Sequence, residues 1–115
     1  MTKLVAVAIG SVLAGAGLIA IVTGGQPDEV PVARRVVVEA RGFGFVPARV
    51  TVAPGDTIVF VNRDALPHTA TATDSTWDSG ELASGASWSL VAGDAGTTGY
   101  ICAYHPSMRG SIDVR

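Results

Sequence analysis

Cysteine is nearly absent: the 115-residue chain has one, Cys102. A single cysteine excludes an intrachain disulfide framework and any cysteine-rich zinc module. Histidine is almost as scarce, with two residues, and methionine occurs only at Met1 and Met108. Charge is low as well. Eight Lys+Arg against ten Asp+Glu leave a net charge of −2 with scattered signs, which gives no electrostatic footprint for nucleic acid. Beyond the N-terminal segment there is no amphipathic helical stretch of useful length, no internal repeat and no low-complexity tract. The length holds one domain of ordinary size and excludes a second.

What is abundant is apolar sequence at the start. Sixteen of the first 25 residues are hydrophobic. From Leu4 to Val22 there is no charge, and Lys3 stands just ahead. As a helix this run crosses roughly 30 Å of hydrocarbon. Two readings stay open. One is a signal peptide, with small residues such as Thr23 and Gly25 near a cleavage point. The other is a retained membrane anchor, favoured because a signal core usually spans only about 7–15 residues. No cysteine follows the run, which excludes a lipoprotein. Both readings export the domain, with Lys3 on the cytoplasmic side. The chain thus divides into residues 1–25, a signal peptide or anchor; 26–33, a linker holding Pro27, Asp28, Glu29 and Pro31; and a domain over 34–115. Arg34 and Arg35 read as a solvated strand start or as contacts for lipid headgroups.

The domain has the period of strands. Val36, Val37 and Val38 form a β-branched run, and residues 49–52 alternate. Pro54, Gly55 and Asp56 supply a turn, with Pro at its first central position and Gly at its second. Residues 57–61 are the clearest strand, ended by Asn62, Arg63 and Asp64. Residues 69–73, 87–91, 99–102 and 111–114 follow the same pattern, whereas 74–85 reads as loop with one short strand. Gly42 and Gly44 around Phe43 read as punctuation before a strand. Seven or eight short strands without helices predict an all-β sandwich or barrel. Trp77 and Trp88 read as packing residues of that sandwich rather than as electron-hopping sites.

The scarce residues are not scattered. Of the two His, the one Cys and the one internal Met, three fall within residues 102–108, spaced C-x2-H-x2-M: Cys102, His105 and Met108. The fourth, His68, begins the strand expected over 69–73. Singly, a lone Cys is a buried small hydrophobe and a lone Met fills a core. Jointly, they have a common purpose. A strand ending near Cys102 and returning at Ser111 makes a short loop, and ligands three apart around it can face one interior point. His68 adds a direction from a distant strand. A thiolate, two imidazoles and a thioether match the trigonal His2Cys blue-copper set with its weak axial Met. Haem attachment needs a second Cys, structural zinc rarely uses Met, and a two-copper centre needs two bridging Cys. A Cys–His hydrolase would leave Met108 idle and shows no oxyanion loop.

With these residues in view, 43–114 resembles the cupredoxins, and among them the amicyanins more than the plastocyanins or azurins. The likeness rests on Phe45-x-Pro47 with Val50-x-Val52, on Pro54-Gly55-Asp56-Thr57, on Asn62-Arg63 with Pro67-His68, and on Tyr100-x-Cys102 through His105-Pro106-x-Met108-Arg109-Gly110. The resemblance implies an eight-stranded Greek-key β-sandwich, preceded here by the N-terminal hydrophobic helix, and one type 1 copper. By position His68, Cys102 and His105 would be equatorial ligands and Met108 axial. It also implies one-electron transfer in the periplasm or at the cell surface. The donor and acceptor would be of the cytochrome c, dehydrogenase or oxidase class, and the protein a monomer and not an enzyme. Leu66, Pro67 and Pro106 would ring the exit histidine, and Asn62 would support the site. Two positions depart from the family: Thr69 stands where Asn is common, and Tyr104 where Pro is common. Thr69 offers one hydroxyl to brace the ligand loop, and Tyr104 restores an N–H and adds a ring. Arg109 reads either as a plain exposed residue or as a group steering an acidic partner. Alternative functions are a copper-binding or delivery module and an accessory copper domain of an oxidase complex.

Overall fold

The computed structural model describes residues 32–115. The hydrophobic helix expected over 4–22 lies outside the described residues. Among the described residues no helix is long and apolar enough to cross a membrane.

Eight strands are present among the described residues: β1 (Arg35–Arg41), β2 (Gly44–Val46), β3 (Arg49–Val52), β4 (Thr57–Asn62), β5 (Thr71–Ala72), β6 (Ser87–Val91), β7 (Gly96–Ile101) and β8 (Arg109–Val114). They form two four-stranded sheets, ordered β2-β1-β4-β6 and β3-β8-β7-β5. Strand β1 runs parallel to β4, and β3 parallel to β8; the other pairings are antiparallel. Only β1–β2 and β7–β8 are sequential neighbours in one sheet. Every other connection crosses between sheets.

The alternation seen in sequence becomes the two faces of the strands. In β3, Val50 and Val52 are buried while Arg49 and Thr51 are exposed. Strand β4 is buried along most of its length, as its unbroken Ile58, Val59 and Phe60 run requires. The core lies between the sheets, where Val38, Ile58 and Phe60 of one meet Val50, Tyr100 and Ile112 of the other. Fully burying side chains such as Phe60 and Ile58 contributes about 1.5–3 kcal/mol each. Phe60 and Phe45 meet Tyr100 edge-on, with ring centroids 5.2 and 4.8 Å apart. Trp77 and Trp88 lie against Phe60 and the same core. The Tyr100 hydroxyl is buried without a hydrogen-bond partner, and burial pushes its phenol above the ordinary tyrosine range.

The turn at Pro54 is as the sequence predicts. The Asp56 N–H donates to Ala53 O at 3.0 Å, and Gly55 takes φ +92°, the left-handed conformation glycine accepts without penalty. Arg34 is more than a solvated strand start. Its backbone N–H donates to Asp56 Oδ1 at 2.8 Å and its guanidinium faces Oδ2 at 3.3 Å.

Three expectations need correction. The strand expected over 69–73 shrinks to Thr71–Ala72, because the Thr69 N–H turns to Cys102 Sγ and the Ala70 N–H to Ser79 Oγ. Residues 74–85 contain no strand, only single bridges of Asp78 to Thr71 and Leu82 to His68. The strand expected over 99–102 is β7. It starts at Gly96, where it meets Val114, and stops before Cys102.

Candidate metal centre

The β7–β8 hairpin carries the C-x2-H-x2-M segment, and its backbone gives that spacing a cause. The His105 N–H donates to Cys102 O at 3.1 Å, and the Met108 N–H donates to His105 O at 2.9 Å. These are two consecutive i→i+3 turns. The Cys102 N–H then donates to Met108 O at 3.2 Å and closes the loop. Cys102, His105 and Met108 therefore occupy equivalent corners. Cys102 and Met108 are buried, His105 is half-buried, and the residues between them are exposed.

His68 comes from the other side. A two-way bridge to Leu82 fixes its backbone, with N–H to Leu82 O at 3.1 Å and the return bond at 2.7 Å. Buried Asn62 holds the flanking segments, its side-chain amide donating to Leu66 O and Leu82 O at 2.8 and 2.9 Å. The His68 ring is fully buried. Its Nδ1 lies 3.6 Å from Cys102 Sγ, and His105 Nδ1 lies 3.7 Å from the same sulfur. The three donor atoms are within 4.8 Å of one another. Bonds of roughly 2.0–2.3 Å from one ion to nitrogen and sulfur, opened to about 113°, put such atoms about 3.6 Å apart. The set fits a metal ion, and its softness fits copper. The Thr69 N–H donates to Cys102 Sγ at 3.4 Å.

Thr69 does brace the ligand loop. Its Oγ1 accepts the Ala103 N–H at 2.8 Å and lies 2.8 Å from Thr71 Oγ1, which donates to Asp78 Oδ1 at 3.0 Å. The Tyr104 hydroxyl donates to Glu81 Oε1 at 2.8 Å. That bond to Glu81 is the chief reason the Tyr104 phenol lies above its ordinary range. Leu66 and Pro106 are exposed and Pro67 half-buried.

Two residues in contact with the site escaped the sequence. Phe43 takes φ +58°, a rare conformation for a bulky residue. Its ring lies edge-on to both imidazoles, with centroids 5.4 Å from His68 and 5.1 Å from His105, while half its surface stays open to solvent. Asp64 holds that turn. Its Oδ1 accepts the Gly42 N–H at 2.7 Å, and its Oδ2 accepts the Phe43 N–H at 3.0 Å and faces His68 Nε2 at 2.8 Å. The Phe43 N–H above all holds the Asp64 carboxyl below the usual carboxylate range. The only sequence signal was its i, i+4 spacing to His68.

Two sheets ending in a cluster of one cysteine and two histidines define a cupredoxin. The sequence from 32 to 115 matches the family of copper binding proteins of the plastocyanin/azurin type, and the chain belongs to that family. By sequence alone no curated protein matches it. Among solved structures, a purple cupredoxin from Nitrosopumilus maritimus superposes with a TM-score of 0.66 at 20% identity, covering 70% of this chain and 99% of its own. The oxidized state of a proline-to-alanine mutant of amicyanin gives a TM-score of 0.66 at 28% identity, covering 70% and 81%. A copper-containing nitrite reductase from Thermus scotoductus SA-01 gives 0.66 at 27% identity, but the match spans only 25% of that longer chain and 82% of this one. Copper is the cofactor, and His68, Cys102 and His105 come together as its type 1 site.

Proposed function

We propose that the protein is a mononuclear blue-copper carrier that moves single electrons between extracytoplasmic redox proteins. The observation that carries this reading is the convergence of His68 Nδ1 and His105 Nδ1 on the buried sulfur of Cys102. These three atoms would hold the ion equatorially, with the Met108 thioether as the weak axial donor. Bound there, copper supplies a one-electron Cu(II)/Cu(I) couple held by donors acceptable to both states. The chain's own part is to keep the donors fixed and dry. Cys102 and His68 have no exposed surface, and Met108 almost none. Four protein donors leave no open position for a substrate, unlike a catalytic metal site.

His105 is the half-buried member of the set, and it serves as the electron exit. Phe43, Leu66 and Pro106 are exposed, and together with Pro67 they offer an apolar docking rim. The donor and acceptor are redox proteins of the cytochrome c, dehydrogenase or oxidase class. Residues 4–22 export the domain, as a cleaved signal or as a tether.

The test is the visible spectrum of the purified full chain after addition of Cu(II). An intense blue band that bleaches with reductant and returns with oxidant, without copper loss, is expected. Cys102→Ala should abolish both the band and the redox couple. A pale spectrum of d–d strength in the wild type would overturn the reading and leave a copper-binding module. Met108→Leu should keep the colour and raise the potential; complete metal loss in that variant would refute the axial assignment.

A further inference from the structure

Asp64 has no part in the donor set, yet it touches it. Its carboxylate accepts the Gly42 and Phe43 N–H groups of the β1–β2 turn and, from another direction, faces the Nε2 of the His68 ring. Its own N–H is fixed by Asn62 Oδ1 at 2.9 Å. An ionised carboxylate only accepts hydrogen bonds. The 2.8 Å contact therefore requires the proton on His68 Nε2, which leaves the lone pair on Nδ1, the nitrogen 3.6 Å from Cys102 Sγ. The Asp64 side chain is 15% exposed and the His68 ring not at all, so water does little to screen one from the other.

We infer that Asp64 is a positioning residue for the copper centre: it fixes the His68 tautomer and orientation, and its negative charge stabilises the oxidised state of the site. A carboxylate behind a ligating imidazole raises the donor strength of the ring and holds its orientation. Negative charge beside a group that gains an electron favours the more positive, oxidised form, so the charge on Asp64 lowers the reduction potential. The inference rests on the copper reading above, but its first half concerns the metal-free protein.

Two measurements on the full chain test it. Nitrogen NMR of the metal-free wild type should show His68 carrying its proton on Nε2, and Asp64→Ala should lose that preference. In the copper-loaded protein, Asp64→Asn keeps an acceptor but removes the charge. It should shift the oxidation–reduction equilibrium toward the reduced state by about tenfold, ~59 mV for one electron, and Asp64→Glu should recover part of that shift. A residue that merely braces the 42–43 turn would change stability and leave the potential alone. An unchanged potential in Asp64→Asn, or a wild-type His68 protonated on Nδ1, would overturn the inference. If the wild type gave no thiolate–copper band, the copper reading would fail separately, and the tautomer would still decide the role of Asp64.

Discussion

Replacing Thr69 by Val removes one oxygen and keeps nearly the same shape. Thr69 is buried, so the change tests its hydroxyl with little effect on packing volume. In the wild type the order of donors is fixed. Asp78 accepts from Thr71, the Thr71 oxygen is then free to accept from Thr69, and Thr69 in turn accepts the Ala103 N–H at 2.8 Å. In Thr69→Val the Ala103 N–H loses its acceptor next to Cys102. Ala103 is exposed and this bond only partly buried, so losing it costs about 1.5 kcal/mol, or roughly 6–12 °C in Tm for a domain of this size. Thr69→Ser separates the hydroxyl from the methyl. It keeps the chain of bonds and loses one buried methyl, about 0.8 kcal/mol. Thermal unfolding of the metal-free full chain, followed by near-ultraviolet circular dichroism, should therefore rank wild type above Thr69→Ser and Thr69→Ser above Thr69→Val. Hydrogen exchange at the Ala103 amide should quicken in Thr69→Val alone. A valine variant as stable as the serine variant would refute the claim that this hydroxyl braces the loop.

Other consequences can be checked in the same assay. Tyr100→Phe deletes a buried hydroxyl that has no partner, and should be neutral or stabilising by up to about 1 kcal/mol; a clear loss of stability would mean that the oxygen is satisfied in solution. Gly110→Ala should cost about 1–3 kcal/mol, because a β-carbon there runs into the Tyr100 ring, and an unchanged Tm would contradict that packing. The backbone N–H of Arg34 above all, then that of Ala53, holds Asp56 below its ordinary range. Its folded pKa is depressed, so its contribution is complete above the unfolded value of about 3.9 and fades as pH falls toward the folded one. The stability gap between wild type and Asp56→Asn should accordingly be constant near neutrality and narrow on acidification below about pH 4; a gap independent of pH would exclude this role.

The parts of the molecule legible in the sequence are those governed by short range. The alternation of 49–52, the apolar run of 57–61 and the proline–glycine turn depend on neighbours in the chain, and they appear as β3, β4 and the turn between them. The loop at 102–108 was legible for the same reason, since its spacing is that of two successive turns. Asp64, Phe43 and Asp78 were not. Asp64 reads as the end of a strand until the β1–β2 turn, over 20 residues earlier, is brought to its carboxylate. Phe43 reads as punctuation until its ring is seen against two imidazoles. Asp78 belongs to a loop without periodicity and gains its role only through Thr71. In each case the partner is supplied by topology, which hydrophobic period does not encode. The start of β5 was misjudged because the Thr69 and Ala70 N–H groups turn to side chains, and the end of β7 because the Met108 N–H, which faces Cys102 across the hairpin, turns to His105 O.

The closed circuit of turns at the ligand loop makes length and composition independent of one another. One added residue would convert an i→i+3 turn into a wider one and replace this arrangement of corners by another. Ala103, Tyr104, Pro106 and Ser107 lie between the corners and face solvent. They are free to be exchanged without disturbing the backbone bonds that join Cys102, His105 and Met108. The loop behaves like a fixed frame with replaceable panels: recognition of a new partner can be written onto its outer face while the geometry behind it stays the same.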